Sequence, residues 1–262
     1  MGGGHSHPPI DDDERILKVV DTLEMTSNEI GMLWDAFRAY DHNAVGSISK
    51  IDFFCNICDQ REWETDFGNA ILELCDVKDE GTLDFGQFTQ ICGTFGAFQT
   101  KEMLQFCFFV FDKDKNGHMD EDELNAFVAD IYGNAVPSNI LSVIKGLNFD
   151  EDGRLYYPQF AAMHRQFPAV LYPVFQFQTN LRTNVMGAKW WNQRLARLRM
   201  DRDDKEAEEA QQEEQRKREE KRMRKKAMIE KMGWFQYYFN PIKRAQVAKV
   251  YAMGDSMAQG VG

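Results

Sequence analysis

No apolar run in these 262 residues approaches the roughly 18 needed to cross a bilayer as a helix. Cysteine is scarce: Cys55, Cys58, Cys75, Cys92 and Cys107 make an odd count, with no secretory leader ahead of them. A disulfide framework is therefore not expected, and a reducing compartment is. Cys55 and Cys58 form a CxxC, but no second ligand pair accompanies them and no strand–loop–helix pattern surrounds them. The three-residue spacing puts both on one face of a helix, where packing into a core is the expected role. No nucleophile–base pair or phosphate loop stands out either, so the sequence reads as a binding protein, not an enzyme. Proline is sparse, at seven, against twenty phenylalanines. That balance fits an aromatic-packed, largely helical fold.

The charge is unevenly placed. Residues 179–262 hold 19 Lys and Arg against 12 Asp and Glu, net +7; the remainder holds 12 against 30, net −18. An acidic head that gathers cations is joined to a basic tail suited to an anionic partner.

One frame repeats four times. Its members are DHNAVGSISKID (41–52), DVKDEGTLDFGQ (76–87), DKDKNGHMDEDE (112–123) and NFDEDGRLYYPQ (148–159), and their starts lie 35, 36 and 36 residues apart. Each has Gly at position six and an apolar residue at eight: Ile48, Leu83, Met119 and Leu155. Apolar periodic segments flank each, such as LWDAFRAY before the first and LQFCFFVF before the third. The third places oxygen-bearing side chains at positions one, three, five, nine and twelve. A hard cation such as Ca²⁺ takes about six to eight oxygens, and the glycine permits the reversal that wraps the chain round it.

On these loops the chain resembles the EF-hand superfamily over residues 26–166. The resemblance implies an all-α fold of two EF-hand pairs, joined here to a long charged C-terminal helix. It implies that position-eight residues pair between neighbouring loops, Ile48 with Leu83 and Met119 with Leu155. It also implies a Ca²⁺ site in the third loop. There Asp112, Asp114 and Asn116 supply side-chain oxygens, His118 its backbone carbonyl, Asp120 a direct or water-borne contact, and Glu123 both carboxylate oxygens. The order of features further resembles calcineurin B and the neuronal calcium sensors, although residues beyond the fourth hand find no counterpart there.

The other loops are weaker. In the first, Val45 cannot ligate and Asp52 is one methylene shorter than Glu. The second carries Lys78 at a ligand position and closes on the uncharged Gln87. The fourth keeps Asn148, Asp150, Asp152 and the Arg154 carbonyl but closes on Gln159. It is the weak metal candidate, with a brace for the third loop as its expected role.

Thr26 with Glu29 forms a capping box opening the first helix of the repeat. MGGGHS fits an N-myristoylation signal, with Gly2 as the lipidation candidate; the His5/His7 pair beside it reads as solvated. Residues 167–191 are aromatic-rich, with Pro168 and Pro173. They read either as a segment laid across the chain's own grooves or as a docking surface for a partner. From Asn192 to Met232 there is no Pro or Gly, and Glu213/Lys217, Glu214/Arg218 and Glu220/Arg224 are favourable i,i+4 pairs. No apolar residue occurs between Ala210 and Met223. A single solvated helix of roughly 60 Å is therefore expected rather than a coiled coil.

The expected partition is a flexible N-terminal arm over 1–25, hand pairs over 26–98 and 99–166, an aromatic linker or docking segment over 167–191, a charged helix over 192–232 and an aromatic-basic tail over 233–262. The expected function is a calcium-responsive adaptor or regulatory subunit reaching a protein target through its C-terminal extension. The alternative is a structural component of a large cytoskeletal, ciliary or membrane-associated assembly. Residues 216–244 are a candidate contact for an anionic membrane surface; nucleic acid is disfavoured because no reader motif accompanies the acidic head. A cytoplasmic location, with membrane or cytoskeletal association, is expected.

Overall fold

The 35–36-residue period folds into four helix–loop–helix units. The computed structural model describes residues 13–61, 64–74, 81–133, 136–147, 150, 152–233 and 245. It is mostly helical, with paired short strands typical of EF-hand pairs and a long C-terminal helix. No helix among the described residues is long and apolar enough to cross a membrane. The chain divides into two units, residues 1–196 and 197–262.

In the first unit, α1 (Glu14–Thr22) precedes the hands. The first hand runs from α2 (Ser27–Arg38) through β1 (Ser47–Ser49) to a π-helical stretch, Asp52–Ile57. The second joins α3 (Asp66–Glu73), β2 (Thr82–Asp84) and α4 (Phe85–Phe95). The third joins α5 (Thr100–Phe111), β3 (His118–Met119) and α6 (Glu121–Tyr132). The fourth joins α7 (Ser138–Lys145), β4 (Leu155–Tyr156) and α8 (Tyr157–Gln166). The strands pair as expected: Ile48 opposite Leu83, and Met119 opposite Leu155. All four of these side chains are at most 1% exposed, which fixes each pair's register. The Thr26–Glu29 capping box is present, with Thr26 N–H donating to Glu29 Oε2 at 2.8 Å.

Three expectations need correction. Residues 14–22 are a helix and not part of a flexible arm. Asp13 caps α1, and Ile16 and Val19 are buried against α4. Close approach is possible because α4 has glycine at the contact: a Cβ on Gly93 would come within 2.8 Å of Val19 Cγ2. Second, Cys55 and Cys58 do not share a buried face. The wider π turn brings the consecutive Phe53 and Phe54 both into the core and buries Cys58, while Cys55 stays part-exposed. Third, the charged helix α10 (Ala188–Met232) starts ahead of residue 192, and Trp191 belongs to the buried core.

Residues 167–191 take the first of their two readings. Pro168–Leu171 forms a 3₁₀ turn and Tyr172–Asn184 forms α9. Val170, Leu171, Val174, Phe177, Leu181, Val185 and Trp191 are all buried within the chain's own head. The Phe177 ring lies 5.9 Å from Phe54, 5.9 Å from Phe67 and 5.4 Å from Phe95. Polar side chains of α9 meet backbone carbonyls at and just beyond helix ends. Gln178 donates to the carbonyls of Phe95 and Phe98, both at 2.8 Å, and Arg182 to those of Gly96 (2.7 Å) and Phe98 (2.9 Å). Asn180 and Asn184 reach Cys58 O and Ile57 O at 3.0 and 2.8 Å. Residues 95–98 join the two hand pairs, so α9 clamps that junction.

The start of α10 is tied down as well. Arg194 donates to Glu29 Oε1 at 2.5 Å and to Leu23 O at 2.7 Å, while Trp190 Nε1 donates to Glu29 Oε1 at 2.6 Å. Burial works against the Glu29 charge. The Thr26 N–H, Trp190, the Thr26 hydroxyl and Arg194 outweigh it and hold the carboxyl at about 2.

In the second unit, α10 continues to Met232 and stops at Gly233, whose φ is +79°. Ion pairs Glu213–Lys217 (3.3 Å) and Glu214–Arg218 (2.7 Å) run along it, and Met200 and Met223 are exposed. Gly2, His5, His7, Cys75, Lys78, Asn148 and the tail residues 234–244 and 246–262 lie outside the described residues.

Candidate metal centre

Among the described residues one group of carboxylates is gathered as a cation would need: Asp112, Asp114 and Glu123 each offer an oxygen within 4.8 Å of the others. Two oxygens on opposite sides of one Ca²⁺ lie about 4.6–5.2 Å apart, so this spacing fits the ion. Asp112 ends α5 and is 6% exposed. Its Oδ1 accepts from Asn116 N–H and its Oδ2 from Gly117 N–H, each at 3.0 Å. Gly117 makes this possible with φ +86°, and the equivalent Gly46, Gly81 and Gly153 adopt the same region.

Asp120 is not part of that carboxylate group, and the remaining third-loop residues bond within the loop. Asp114 accepts from Asn116 through both its oxygens, at 3.1 and 2.7 Å. Asn116 Oδ1 accepts from His118 N–H at 2.9 Å. His118 sits in β3 opposite Tyr156, with the rings 5.6 Å apart. Asp120 is the N-cap of α6: its Oδ1 accepts from Glu123 N–H at 2.8 Å. Glu123 reaches back across the loop, Oε1 accepting from Lys113 N–H at 2.9 Å and Oε2 from Asp120 N–H at 3.1 Å. A carboxylate oxygen carries more than one lone pair, so these bonds orient the ligands without using them up.

The other loops keep the same local bonding frame but fill it with different groups. In the first, Asp41 accepts from Val45 and Gly46 N–H groups at 3.0 and 2.9 Å, as Asp112 does in its own loop. The shorter Asp52 is engaged by Ser49 Oγ at 2.6 Å and by Asn56 at 2.8 Å. In the second, Asp84 caps α4 through Gln87 N–H at 2.7 Å and faces Arg15 of α1 at 3.1 Å. In the fourth, Asp150 accepts from Arg154 N–H at 2.8 Å, and Arg154 O accepts from Asp150 N–H at 3.0 Å. The Arg154 guanidinium pairs with Asp152 at 3.0 Å, and Gln159 Oε1 is taken by Tyr156 N–H at 2.7 Å. The Arg154 carbonyl thus closes a local turn, and its guanidinium lies on the Asp152 carboxylate at the exposed surface.

Sequence reasoning passed over two residues beside the centre. Lys113, second in the third loop, forms an ion pair with Asp66 at 2.5 Å, and Asp66 beside it raises the Lys113 ammonium. Asp130, on α6, accepts from the backbone of Asp66 and Phe67. Burial raises its carboxyl more than the Phe67 and Asp66 N–H groups lower it. The only local signal was Thr65, whose hydroxyl accepts from Gly68 N–H at 3.0 Å as the N-cap of α3.

No protein-family model matches the chain. Part of it is similar to calcium-dependent protein kinase 10 of Arabidopsis thaliana, 30% identical over 93 residues, which is 36% of this chain and 17% of that protein. Calcium-dependent protein kinase 9 of Oryza sativa subsp. japonica is 32% identical over 93 residues, 36% of this chain and 16% of the relative. A longer match, 26% identical over 153 residues, covers 57% of this chain and 28% of calcium-dependent protein kinase 7 of Arabidopsis thaliana. The chain therefore spans less than a third of the length of these curated relatives. The similarity is distant and partial, and it is to their EF-hand regions.

Proposed function

We propose that this protein is a non-enzymatic, calcium-binding EF-hand adaptor. The third loop takes one ion through Asp112, Asp114, Asn116, the His118 carbonyl, Asp120 and Glu123. A protein target is engaged through the C-terminal extension. The observation that carries this reading is the gathering of Asp112, Asp114 and Glu123 around one point, beside a fourth loop whose Asp152 is already paired with Arg154. Ca²⁺ would supply charge neutralisation and a rigid centre; the chain's own residues supply the cup and its closure.

The extension supports the partner half of the reading. The run 216–226 carries eight Lys and Arg against two Glu and is exposed throughout, which suits an anionic partner surface. Full-length protein in titration calorimetry should give one dominant calcium site, and Glu123→Gln should abolish its heat. Two comparable strong sites in the wild type would overturn the assignment.

A second reading, a structural part of a larger assembly, is favoured by one observation: the apolar segment 167–191 already fills the chain's own grooves. A static part would show calcium-dependent hydrogen exchange in the third loop alone. An adaptor would show it beyond the loop.

A further inference from the structure

Two side chains lead from the calcium loop to the other hand pair. Asp130 lies two turns after Glu123 on α6. Its Oδ1 accepts from Asp66 N–H and its Oδ2 from Phe67 N–H, both at 2.9 Å, which caps the N-terminal end of α3. Lys113 donates its backbone N–H to Glu123 Oε1 at 2.9 Å and its ammonium to Asp66 Oδ2 at 2.5 Å. The closing carboxylate of the third loop is thus tied to the start of α3 along α6 and again through Lys113. From there the Phe67 ring meets Phe95 and Phe106 at 6.0 Å and Phe177 of α9 at 5.9 Å.

We propose that Asp130 and Lys113 couple calcium binding in the third loop to the capping of α3, so that the ion and the cap stabilise each other. This rests on the third loop's being the calcium site. Its direction follows from geometry. The ligand oxygens already stand at calcium-competent spacing, and the cap and the Lys113 bridge are intact in that same arrangement. An ion that stabilises this arrangement stabilises the cap with it, and by linkage a lesion in the cap weakens the ion. The second hand, whose own loop carries a lysine at a ligand position, becomes the receiver of a signal read by the third.

Hydrogen exchange on the full-length protein tests this alongside calorimetry, with Ca²⁺ as the probe. Calcium should slow exchange at the Asp66 and Phe67 amides in the wild type. Asp130→Ala should remove that effect and weaken calcium about fivefold or more. Asp130→Asn loses the same charge but keeps an acceptor oxygen, so it should lie between the two. Lys113→Ala changes an exposed side chain, does not threaten the fold, and should shrink the slowing at Asp66. Equal weakening by Ala and Asn would mean that Asp130 acts only through its charge, and would overturn the coupling. So would wild-type protein that gives calorimetric heat while its Asp66 and Phe67 amides ignore calcium; the calcium site would then stand without the coupling. Absence of any heat would remove both.

Discussion

Phe177→Ala separates a helix built into the core from one resting on a surface. Phe177 is 3% exposed and sits among Phe54, Phe67 and Phe95, with ring centroids 5.4–5.9 Å away. Truncating a buried Phe to Ala removes its transfer free energy and leaves a cavity that its neighbours fill incompletely, which costs about 3–5 kcal/mol. The neighbours here are rigid rings from three different elements, so collapse into the gap is limited. For a domain of this size the loss corresponds to a fall of roughly 6–20 °C in midpoint temperature. Urea denaturation of full-length wild type and variant gives the comparison, with the slope against urea checking that both unfold the same surface. Phe175→Ala is the internal control. Phe175 is only half-buried and stacks on His164 at 5.0 Å, so it should lose markedly less. A cost below about 1 kcal/mol for Phe177→Ala, the range of ordinary surface changes, would refute the reasoning. Segment 167–191 would then be a tether that leaves its groove readily, and the groove would be free for a partner.

Two further outcomes are expected. The Glu29 carboxyl is lowered from its ordinary 4.5 to about 2, so its stabilising contribution is complete above pH 4.5 and is lost as pH falls toward 2. Wild type should exceed Glu29→Gln by on the order of 1–3 kcal/mol at neutral pH, the lower end reflecting solvent screening, and a gap in denaturation midpoint that does not close between pH 4.5 and pH 2 would contradict the Arg194–Glu29–Trp190 arrangement. A peptide of residues 192–232 should be helical and monomeric, and should lose helicity as salt rises, since each of its ion pairs contributes only about 0.2–0.5 kcal/mol; circular dichroism and sedimentation that reveal a concentration-dependent dimer would replace the single helix with a coiled coil.

What the sequence made legible was local. A chelating loop depends on residue types at fixed spacing within twelve positions, so the gathering of Asp112, Asp114 and Glu123 could be anticipated from the loop alone. The pairing of Ile48 with Leu83 and of Met119 with Leu155 follows from the same period, as does the capping box at Thr26. What escaped was non-local. Asp13 and the apolar spacing of Ile16, Val19 and Leu23 are a helix signature, but that the helix would bury itself depended on glycines seventy residues away. Asp130 caps a helix whose start lies 64 residues earlier in the chain. Segment 167–191 left two readings open because its apolar content is the same whether it covers its own head or another protein. The carbonyls of Ile57, Cys58, Phe95, Gly96 and Phe98 decided between them, and no pattern in the segment announces that they are there to be met.

The filled groove limits what calcium can do. Releasing segment 167–191 would expose Val170, Leu171, Val174, Phe177, Leu181, Val185 and Trp191. Val174, Phe177 and Leu181 alone correspond to roughly 5–9 kcal/mol of burial. Removing the side chains that meet the carbonyls at residues 57–58 and 95–98 adds to that cost. A single ion at one hundred times its dissociation constant shifts an equilibrium by about 2.7 kcal/mol, and at a thousand times by about 4.1 kcal/mol, even if it has no affinity for the other state. At these saturations one loop falls short of expelling its own chain from the groove. Calcium can instead bias motions that cost less than this, such as fraying of the α3 cap at Asp66 and Phe67 or slackening of the Lys113 bridge. The response that fits the proposed calcium reading is a head that stiffens on binding the ion, with the ends of its helices secured. On the proposed reading, a target would distinguish a firmer surface from a looser one, because opening the groove costs more than one site supplies at these saturations.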